Sequence, residues 1–596
     1  MEKRELTIRI AGEAGEGVQS TGQLVTQAAS RAGFRVLTFF SPPAEIKGGH
    51  SIFEIRLGSQ HLYARGDDVD ILLAFNQEAY DINIGELSPN GLLIYDPAQV
   101  APAELAGVRQ VSLPITDIAK TRLRFERGKN VVAFGAACAL FGMPQEYLHK
   151  LVQDRFGKYV EVLQKNFDSA NAGAEYVEQN IPDRDEFKLT AGEVDGHRMV
   201  ISGNQAVSMG AIAAGCRFLA GYPITPASDI MEFLASELPK VGGSVVQAED
   251  EISAIGMVLG ASYSGVKAMT STSGPGLSLM IEMLGLASMA ELPIVVVDAQ
   301  RGGPSTGMPT RHEQGDLNLA VYAGHGEVPK IVLAPTSVSD CFDQTINAFN
   351  LAERYQLPVL LMQDTVLAIR TESVPRPDLT DLQIWNRTTF ASNGNGHASS
   401  NGHMATNGHA EGDEEDASRF RRYQLTENGV SPMAIPGQAG GQYVATGLEH
   451  SETGSPAYSR KAHREMTEKR FRKLEACVHD APEAECYGDP DADIGVVTWG
   501  STAGSVKEAV DQLATRGIHV AMVAPKMLWP LPDHQLKDFV TNKRHVFVAE
   551  VNYTGQFTQL LRARYLRDLK TILAYEGVPF KVAQIVEAIE GVTQRV

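Results

Sequence analysis

Cysteine is scarce in this sequence, and no two cysteines stand at a short spacing. The five cysteines are spread between Cys138 and Cys486, and none forms a CxxC pair. An iron–sulfur cluster is usually held by four thiolates, several of them closely spaced. The sequence therefore predicts no cluster in this chain, and reduced cytosolic thiols are the expected state of these residues.

Long apolar runs and an excess of positive charge are missing as well. No apolar run is long enough to cross a bilayer, and the first residues show no signal-peptide core, so we expect a cytoplasmic protein. The formal net charge of −19 argues against a broad nucleic-acid or anionic-membrane surface. Local clusters of arginine can still attract an anionic substrate.

Three regions of the 596 residues alternate short apolar runs with helical patterns. They lie at 1–190, 191–385 and 491–596, and this alternation is typical of α/β domains with parallel or mixed sheets. The expected fold class is therefore a multidomain α/β protein, with residues 421–490 as a connecting segment. Near the start of the last region, residues 527–532 (MLWPLP) predict a turn into a short helix.

A low-complexity insert is expected at 386–420. Residues 391–418 contain three NGH triplets and almost nothing apolar. Such a segment cannot bury enough surface to offset its chain entropy, so we predict that it is flexible. Its residues His397, His403 and His409 lack the i, i+4 spacing of a rigid metal site, and we predict no metal site in this chain.

A glycine-rich turn at 12–17 (GEAGEG) separates a predicted strand at 6–11 from a predicted helix at 18–32. Free amides at a helix N-terminus favour a phosphate, so Gly15 and Gly17 are candidates for phosphate contact. A tight structural turn explains the same residues. The segment KGGHS adds Lys47 beside a glycine pair, which is either a ligand-binding cation or a solvated lysine.

Another motif, GYPITP at 221–226, follows a predicted strand. Thr225 or Ser228 could cap the next helix, with Pro226 in its first turn. A hydroxyl at the carboxyl end of a strand is equally well placed to bind a small carboxylate. The motif alone does not separate these two interpretations.

Three acids, Glu249, Asp250 and Glu251, precede a helix of small and apolar residues. The helix dipole explains acids at this position, but an acid directed into an apolar interface is a functional candidate. Further along, SGPG at 273–276 again opens a helix after a strand, and the glycine-rich loop 301–311 is bracketed by Arg301 and Arg311. Arginine is the preferred partner of carboxylates, although surface arginines are common.

Taken together, these motifs resemble the α subunit of 2-oxoacid:ferredoxin oxidoreductases, in the form with a γ domain fused to its N-terminus. GEAGEG and KGGHS match the γ-like part, and GYPITP, AEDEISAIG, TSGPG and RGGPSTGMPTR match the α part. WGSTAGS and MLWPLP match a transketolase C-terminal-like domain. The resemblance implies a Rossmann-type γ-like domain, a domain that binds the pyrimidine of thiamine diphosphate, and that C-terminal domain.

The same resemblance implies a division of labour between subunits. The chain would work with a β subunit that holds the diphosphate and Mg²⁺ of thiamine diphosphate and a [4Fe–4S] cluster, in an (αβ)₂ heterotetramer that reduces ferredoxin. No GDG…N diphosphate motif stands out in this sequence, in keeping with that division. The expected substrate is 2-oxoglutarate with CoA as co-substrate, followed by pyruvate or a branched-chain oxoacid. A non-catalytic nucleotide-binding scaffold is the alternative from another class.

Site residues follow from the resemblance by position. Glu251 would hydrogen-bond the aminopyrimidine ring and so promote loss of the thiazolium C2 proton. Thr225 and one of Arg301 or Arg311 would hold the oxoacid carboxylate. The remaining expected contacts are Tyr222, Pro223 and Ile224 beside the cofactor, and Lys47, Gly15 and Gly17 on the CoA side.

Overall fold

Three β-sheets organise the chain, and helices cover their faces. The computed structural model describes residues 5–43, 48–158, 160–181, 197–390 and 419–593. Of the insert predicted at 386–420, residues 391–418 lie outside the described residues, as does Lys47, and the domain boundaries stay predictions. None of the described helices is long and apolar enough to cross a membrane.

The first part of the chain forms most of one mixed sheet. Its strands are β1 (Glu5–Glu13), β2 (Arg35–Ser41), β3 (His50–Gly58), β4 (Val69–Ala74), β5 (Leu87–Tyr95) and β6 (Arg109–Ser112). Its α-helices are α1 (Val18–Arg31), α2 (Gln77–Asn83), α3 (Lys129–Leu140), α4 (Gln145–Phe156) and α5 (Val160–Asn180). Strands β4, β5 and β6 run parallel to β1, whereas β3 is antiparallel to β1 and β2.

The middle of the chain forms the second sheet, whose loops carry the site motifs. The strands in this part of the chain are β7 (Arg198–Ser202), β8 (Phe218–Gly221), β9 (Ser244–Gln247), β10 (Ala268–Thr272), β11 (Ile294–Gln300), β12 (Ile331–Leu333), β13 (Pro358–Asp364) and β14 (Thr371–Pro375). The helices are α6 (Gly203–Ala213), α7 (Ser228–Glu237), α8 (Glu251–Tyr263), α9 (Gly274–Met289), α10 (Leu317–Tyr322), α11 (Val338–Tyr355) and α12 (Thr365–Ile369). Strands β7 and β14 instead join the first sheet, beside β2.

The last part of the chain forms a third sheet. Its elements are α13 (Arg460–Cys477), β15 (Glu485–Gly488), β16 (Ile494–Thr498), α14 (Thr502–Thr515), β17 (Val520–Ala524), β18 (Met527–Trp529), α15 (Asp533–Asn542), β19 (His545–Glu550), α16 (Gln556–Tyr565), β20 (Lys570–Leu573) and α17 (Val582–Thr593). The order of this sheet is β15-β17-β16-β19-β20, and only β15 is antiparallel.

Strand β18 corrects the turn predicted for MLWPLP. Met527–Trp529 pairs antiparallel with β12 and so extends the second sheet, whose order is β18-β12-β13-β11-β10-β8-β9. Met527 and Leu528 are both 0% exposed, which explains why the segment is a strand rather than a surface turn. The short helix predicted after it is present as α15.

A buried ionic cluster fixes α13 to the second sheet's helical layer. Lys469 Nζ donates to both oxygens of Glu291 at 2.7 Å, and Lys473 Nζ donates to Glu291 Oε2 at 2.9 Å. All three side chains are 0% exposed. Charges at this depth are tolerated because each has a direct partner.

Candidate active site

The site motifs meet at one edge of the second sheet. Strands β8, β10 and β11 are adjacent and parallel, so the loops after Gly221, Thr272 and Gln300 leave the sheet at the same edge. Ligands of open α/β sheets bind at the carboxyl ends of the strands. This edge is the place where the sheet can assemble a site from separated motifs.

The structure distinguishes the three neighbouring acids. Glu249 is exposed, and Asp250 is the N-cap of α8, where its carboxylate accepts the backbone N–H of Ser253 at 2.7 Å. Glu251, the first helical residue, is 6% exposed. Asp250 caps the helix and Glu249 faces solvent, so Glu251 is the buried acid of the three.

The carboxylate of Glu251 reaches the first turn of α9. A Cβ atom at Gly276 would lie 2.7 Å from Glu251 Oε1 and 2.1 Å from Thr272 Oγ1, so only glycine fits there. The positive end of the α9 dipole favours a negative charge at this place. Glycine in the TSGPG motif is thus explained by the close approach of the glutamate.

Arg301 connects the glycine-rich loop 301–311, which we call the arginine loop, to the YPITP segment. Its guanidinium donates to the Thr225 carbonyl at 2.8 Å and to the Thr306 carbonyl at 3.1 Å, and the side chain is 8% exposed. Both terminal nitrogens therefore bind backbone oxygens. Nε of Arg301 is buried and has no hydrogen-bond partner among the described residues.

Arg311 lies apart from Arg301 and faces the first sheet. It is exposed, and its guanidinium donates to Ser41 Oγ at the end of β2 at 2.9 Å. The two ends of the loop are joined by the backbone, because Gly302 N–H donates to the Arg311 carbonyl at 3.0 Å. The two arginines therefore act from different sides of one pinned loop.

Of the two interpretations that the YPITP motif leaves open, helix capping is wrong. Helix α7 begins at Ser228, its N-cap is Ala227, and no side chain caps it. Thr225–Ala227 form a turn, and Ser228 N–H donates instead to the Ile224 carbonyl at 3.0 Å. The Thr225 side chain is exposed and free of the capping role.

Three cavities adjoin these residues. The largest, about 720 Å³, is bordered by the first turn of α9, by Arg301 and its loop, by Asp316 and by the loop after β19, and we call it the large cavity. A second, of about 440 Å³, is lined by Thr225, Thr310 and the α1 residues Gln19 and Gln23. A third, of about 520 Å³, lies at the glycine-rich turn.

Comparison with known proteins identifies the family. Residues 209–469 match the family model described as pyruvate flavodoxin/ferredoxin oxidoreductase, thiamine diphosphate-binding, and residues 7–176 and 492–596 match two further regions of pyruvate:ferredoxin oxidoreductases. The 2-oxoacid:ferredoxin oxidoreductase 2 subunit alpha of Aeropyrum pernix is 30% identical over 99% of this chain and 98% of that protein. The chain belongs to the 2-oxoacid:ferredoxin oxidoreductase family.

More similar proteins within the family carry the name of one substrate. The 2-oxoglutarate oxidoreductase subunit KorA of Mycobacterium tuberculosis is 33% identical, and the alignment covers 97% of this chain and 90% of that protein. A solved 2-oxoglutarate:ferredoxin oxidoreductase of Magnetococcus marinus is 41% identical, with a TM-score of 0.91 over 99% of this chain and 100% of that one. The chain is thus an α subunit with a fused γ-like part in a thiamine-diphosphate-dependent 2-oxoacid:ferredoxin oxidoreductase.

In the γ-like part of this oxidoreductase subunit, the two glycine segments come together. Gly15 and Gly17 have φ of 99° and 97°, which favours glycine, and Gly17 is the N-cap of α1. Ala14 N–H donates to the Gly49 carbonyl at 3.0 Å, which joins this turn to the glycine pair after Lys47. Gly15 and Gly17 border the third cavity together with Arg127 and Lys129.

Sequence reasoning missed the role of the C-terminal part in closing the site. The side-chain amide of Gln314 donates to Asp364 at 3.1 Å and to the Trp499 carbonyl at 3.0 Å. The side-chain oxygen of Gln314 accepts the backbone N–H of Val551 at 2.9 Å. This glutamine therefore fixes the third sheet against the arginine loop. Asn552 and Tyr553, just after β19, then form part of the large cavity. No local signal in the sequence predicts these long-range contacts.

Proposed function

We propose that this chain is the α subunit of a 2-oxoglutarate:ferredoxin oxidoreductase. With a β subunit, it would interconvert 2-oxoglutarate plus CoA with succinyl-CoA plus CO₂, with electrons passing to or from ferredoxin. The observation that carries this proposal is the likeness to the Magnetococcus marinus enzyme, solved with 2-oxoglutarate, coenzyme A and succinyl-CoA bound, at 41% identity and a TM-score of 0.91.

Glu251 fits the task of contacting the aminopyrimidine of thiamine diphosphate. Its carboxylate is shielded from solvent but is not consumed by capping, and the neighbouring Gly276 leaves room beside it. Thiamine diphosphate, when bound, supplies the reactive carbon and the electron sink of the decarboxylation. The chain's part is to hold the ring through Glu251, with Tyr222, Pro223 and Ile224 in the extended segment after β8 as its neighbours.

Thr225 and the two arginines are proposed to bind the substrate. Arg301 lies beside Thr225 and borders the large cavity, which suits the 2-oxo carboxylate. Arg311 is exposed on the other side of the loop, where one nitrogen donates to Ser41 Oγ, and we assign its remaining donors to the distal carboxylate of 2-oxoglutarate. Pyruvate has no such second carboxylate, so this placement favours the dicarboxylate.

CoA is assigned to the γ-like part. The third cavity combines the amides of Gly15 and Gly17 with the cations Arg127 and Lys129, and such a combination suits the phosphates of CoA. Lys47 is proposed as a further contact from the sequence, since it lies outside the described residues.

The β subunit is proposed to dock on the exposed face of α8 and α9. Ile252, Met257 and Leu279 are 44%, 41% and 50% exposed, and nothing lies within 4 Å of a Cβ built on Gly256 or Gly260. An apolar helix face next to Glu251 would be covered by the subunit that completes the cofactor site. We assign Mg²⁺, the diphosphate and the [4Fe–4S] cluster to that subunit, in an (αβ)₂ assembly.

The test is a substrate panel on the reconstituted complex. Ferredoxin reduction should be fastest with 2-oxoglutarate, and kcat/KM should fall for pyruvate and for branched-chain 2-oxoacids. The purified α chain alone should be inactive with every member of the panel. A preference for pyruvate, or turnover without a β subunit, would contradict the proposal.

A further inference from the structure

Two neighbouring buried acids carry polar atoms without partners, and one of them, Asp316, lines the large cavity. Asp298, near the end of β11, is 0% exposed, and neither of its carboxylate oxygens has a hydrogen-bond partner in the described part of the chain. Asp316 lines the cavity, and its Oδ2 is likewise buried and unpartnered within the described ranges. A buried carboxylate without a partner is costly unless it carries a proton.

Asp316 approaches the same turn of α9 as Glu251 does. A Cβ atom at Gly274 would lie 2.7 and 2.8 Å from the two Asp316 carboxylate oxygens, and Glu251 lies in the same way beside Gly276. The backbone N–H of Asp316 donates to Gln300 Oε1 at 3.2 Å. Gln300 is 0% exposed, and its Nε2 has no partner among the residues described. This corner of the cavity is therefore a built polar site rather than a chance surface acid.

The charges around Asp316 favour its protonated form. Burial raises the pKa of Asp316 to about 7, Glu313 adds to the increase, and Arg301 opposes it. Burial, together with Asp316, also raises the pKa of Asp298 well above its usual range. The opposite wall of the cavity contributes the uncharged side chains of Asn552, Tyr553, Thr554 and Gln556.

We propose that Asp316 is a protonated wall of the 2-oxoacid site and that the substrate binds while this carboxyl is neutral. The inference rests on the proposed function, since it places the oxoacid in the large cavity beside Arg301. Carboxylates of a 2-oxoacid are ionised throughout the neutral pH range. An ionised Asp316 would repel them and offset the Arg301 charge, whereas a protonated Asp316 can donate a hydrogen bond.

This assignment has a proton balance that can be measured. Below neutral pH the free site already holds the proton on Asp316, and binding changes nothing. Above neutral pH, one proton moves from solvent to the Asp316 carboxylate for each substrate molecule bound. The apparent Kd should then rise about tenfold for each pH unit above the pKa.

Isothermal titration calorimetry of the αβ holoenzyme with N-oxalylglycine, an unreactive analogue of 2-oxoglutarate, tests the proposal. At pH 8, titrations in buffers of different ionisation enthalpy should show uptake of about 0.9 proton per bound molecule, as expected for a single group with a pKa of about 7. Asp316→Asn keeps the shape of the side chain and should abolish both the uptake and the pH dependence of Kd. Asp343→Asn, in α11, removes another acid whose pKa burial raises to about 6 and should leave both unchanged.

Two results would overturn the proposal. One is wild-type binding without proton uptake, a measurement that needs no variant to fold. The other is an Asp316→Asn enzyme with the wild-type uptake. The same titration with oxamate, a pyruvate analogue, separates this inference from the proposed substrate. If oxamate binds and N-oxalylglycine does not, the choice of 2-oxoglutarate is wrong, and proton uptake with oxamate still decides the role of Asp316.

Discussion

Replacing Glu251 by glutamine offers a direct test of the site, because structure and catalysis predict effects of very different size. The amide keeps the shape of the side chain but loses the negative charge. Glu251 is the first residue of α8 and approaches the first turn of α9, so its structural contribution is a charge–dipole interaction of about 0.3–1 kcal/mol. Asp250 still caps the helix in the variant. Assembly and melting temperature should therefore change little.

The expected loss of activity is much larger. Removing a proton-transfer contribution lowers the rate by about 10²–10⁴-fold, which corresponds to about 2.7–5.4 kcal/mol in the activation free energy. The structural contribution alone accounts for about fivefold at most. A loss above a hundredfold therefore requires a role for the carboxylate in the reaction itself.

The assay is ferredoxin or methyl viologen reduction by the αβ complex at saturating 2-oxoglutarate, thiamine diphosphate and CoA. Glu249→Gln is the matched control, since Glu249 is an exposed glutamate two residues away and should keep near-normal kcat. The reasoning is refuted if Glu251→Gln stays active, and above all if Glu249→Gln is the inactive variant.

Three further perturbations test other parts of the site and fold. Arg311→Ala should lower kcat/KM for 2-oxoglutarate by about 10–150-fold more than for pyruvate. Arg301→Ala should lower kcat/KM for both substrates, and equal losses for the two substrates in both variants would exclude a distal-carboxylate clamp. Gly276→Ala would place a Cβ atom 2.7 Å from Glu251 Oε1 and should reduce turnover as strongly as Glu251→Gln. An active variant would show that α9 can shift to make room for the methyl group. Lys469→Met removes one of the two lysines that donate to Glu291 and leaves Lys473 in place, so denaturant titration should show a loss of about 1.5–3 kcal/mol, and an unchanged midpoint would exclude an anchoring role.

Local pattern was enough to predict many elements of the two later sheets. The apolar runs at 244–247, 494–498 and 520–524 predict strands and the pattern at 251–263 predicts a helix. Strands β9, β16 and β17 and helix α8 have these bounds. Strands β16 and β17 are buried along their whole length, so composition and conformation agree there, whereas β9 and one face of α8 are partly exposed. In the first sheet the pattern was weaker, and β3, which begins at His50 inside the KGGHS motif, was not predicted.

The sequence by itself determined the α/β class, the order of the motifs and the family that they resemble. It also narrowed the buried acid to three adjacent candidates. The resemblance pointed to Glu251, and the fold identifies it as the buried acid, because exposure depends on how α8 packs against α9 and not on the residues beside Glu251. Long-range packing likewise made a strand of Met527–Trp529 and placed Asp316 at the large cavity. Contacts between residues far apart in sequence leave no local periodicity, so they become visible only when the chain is folded.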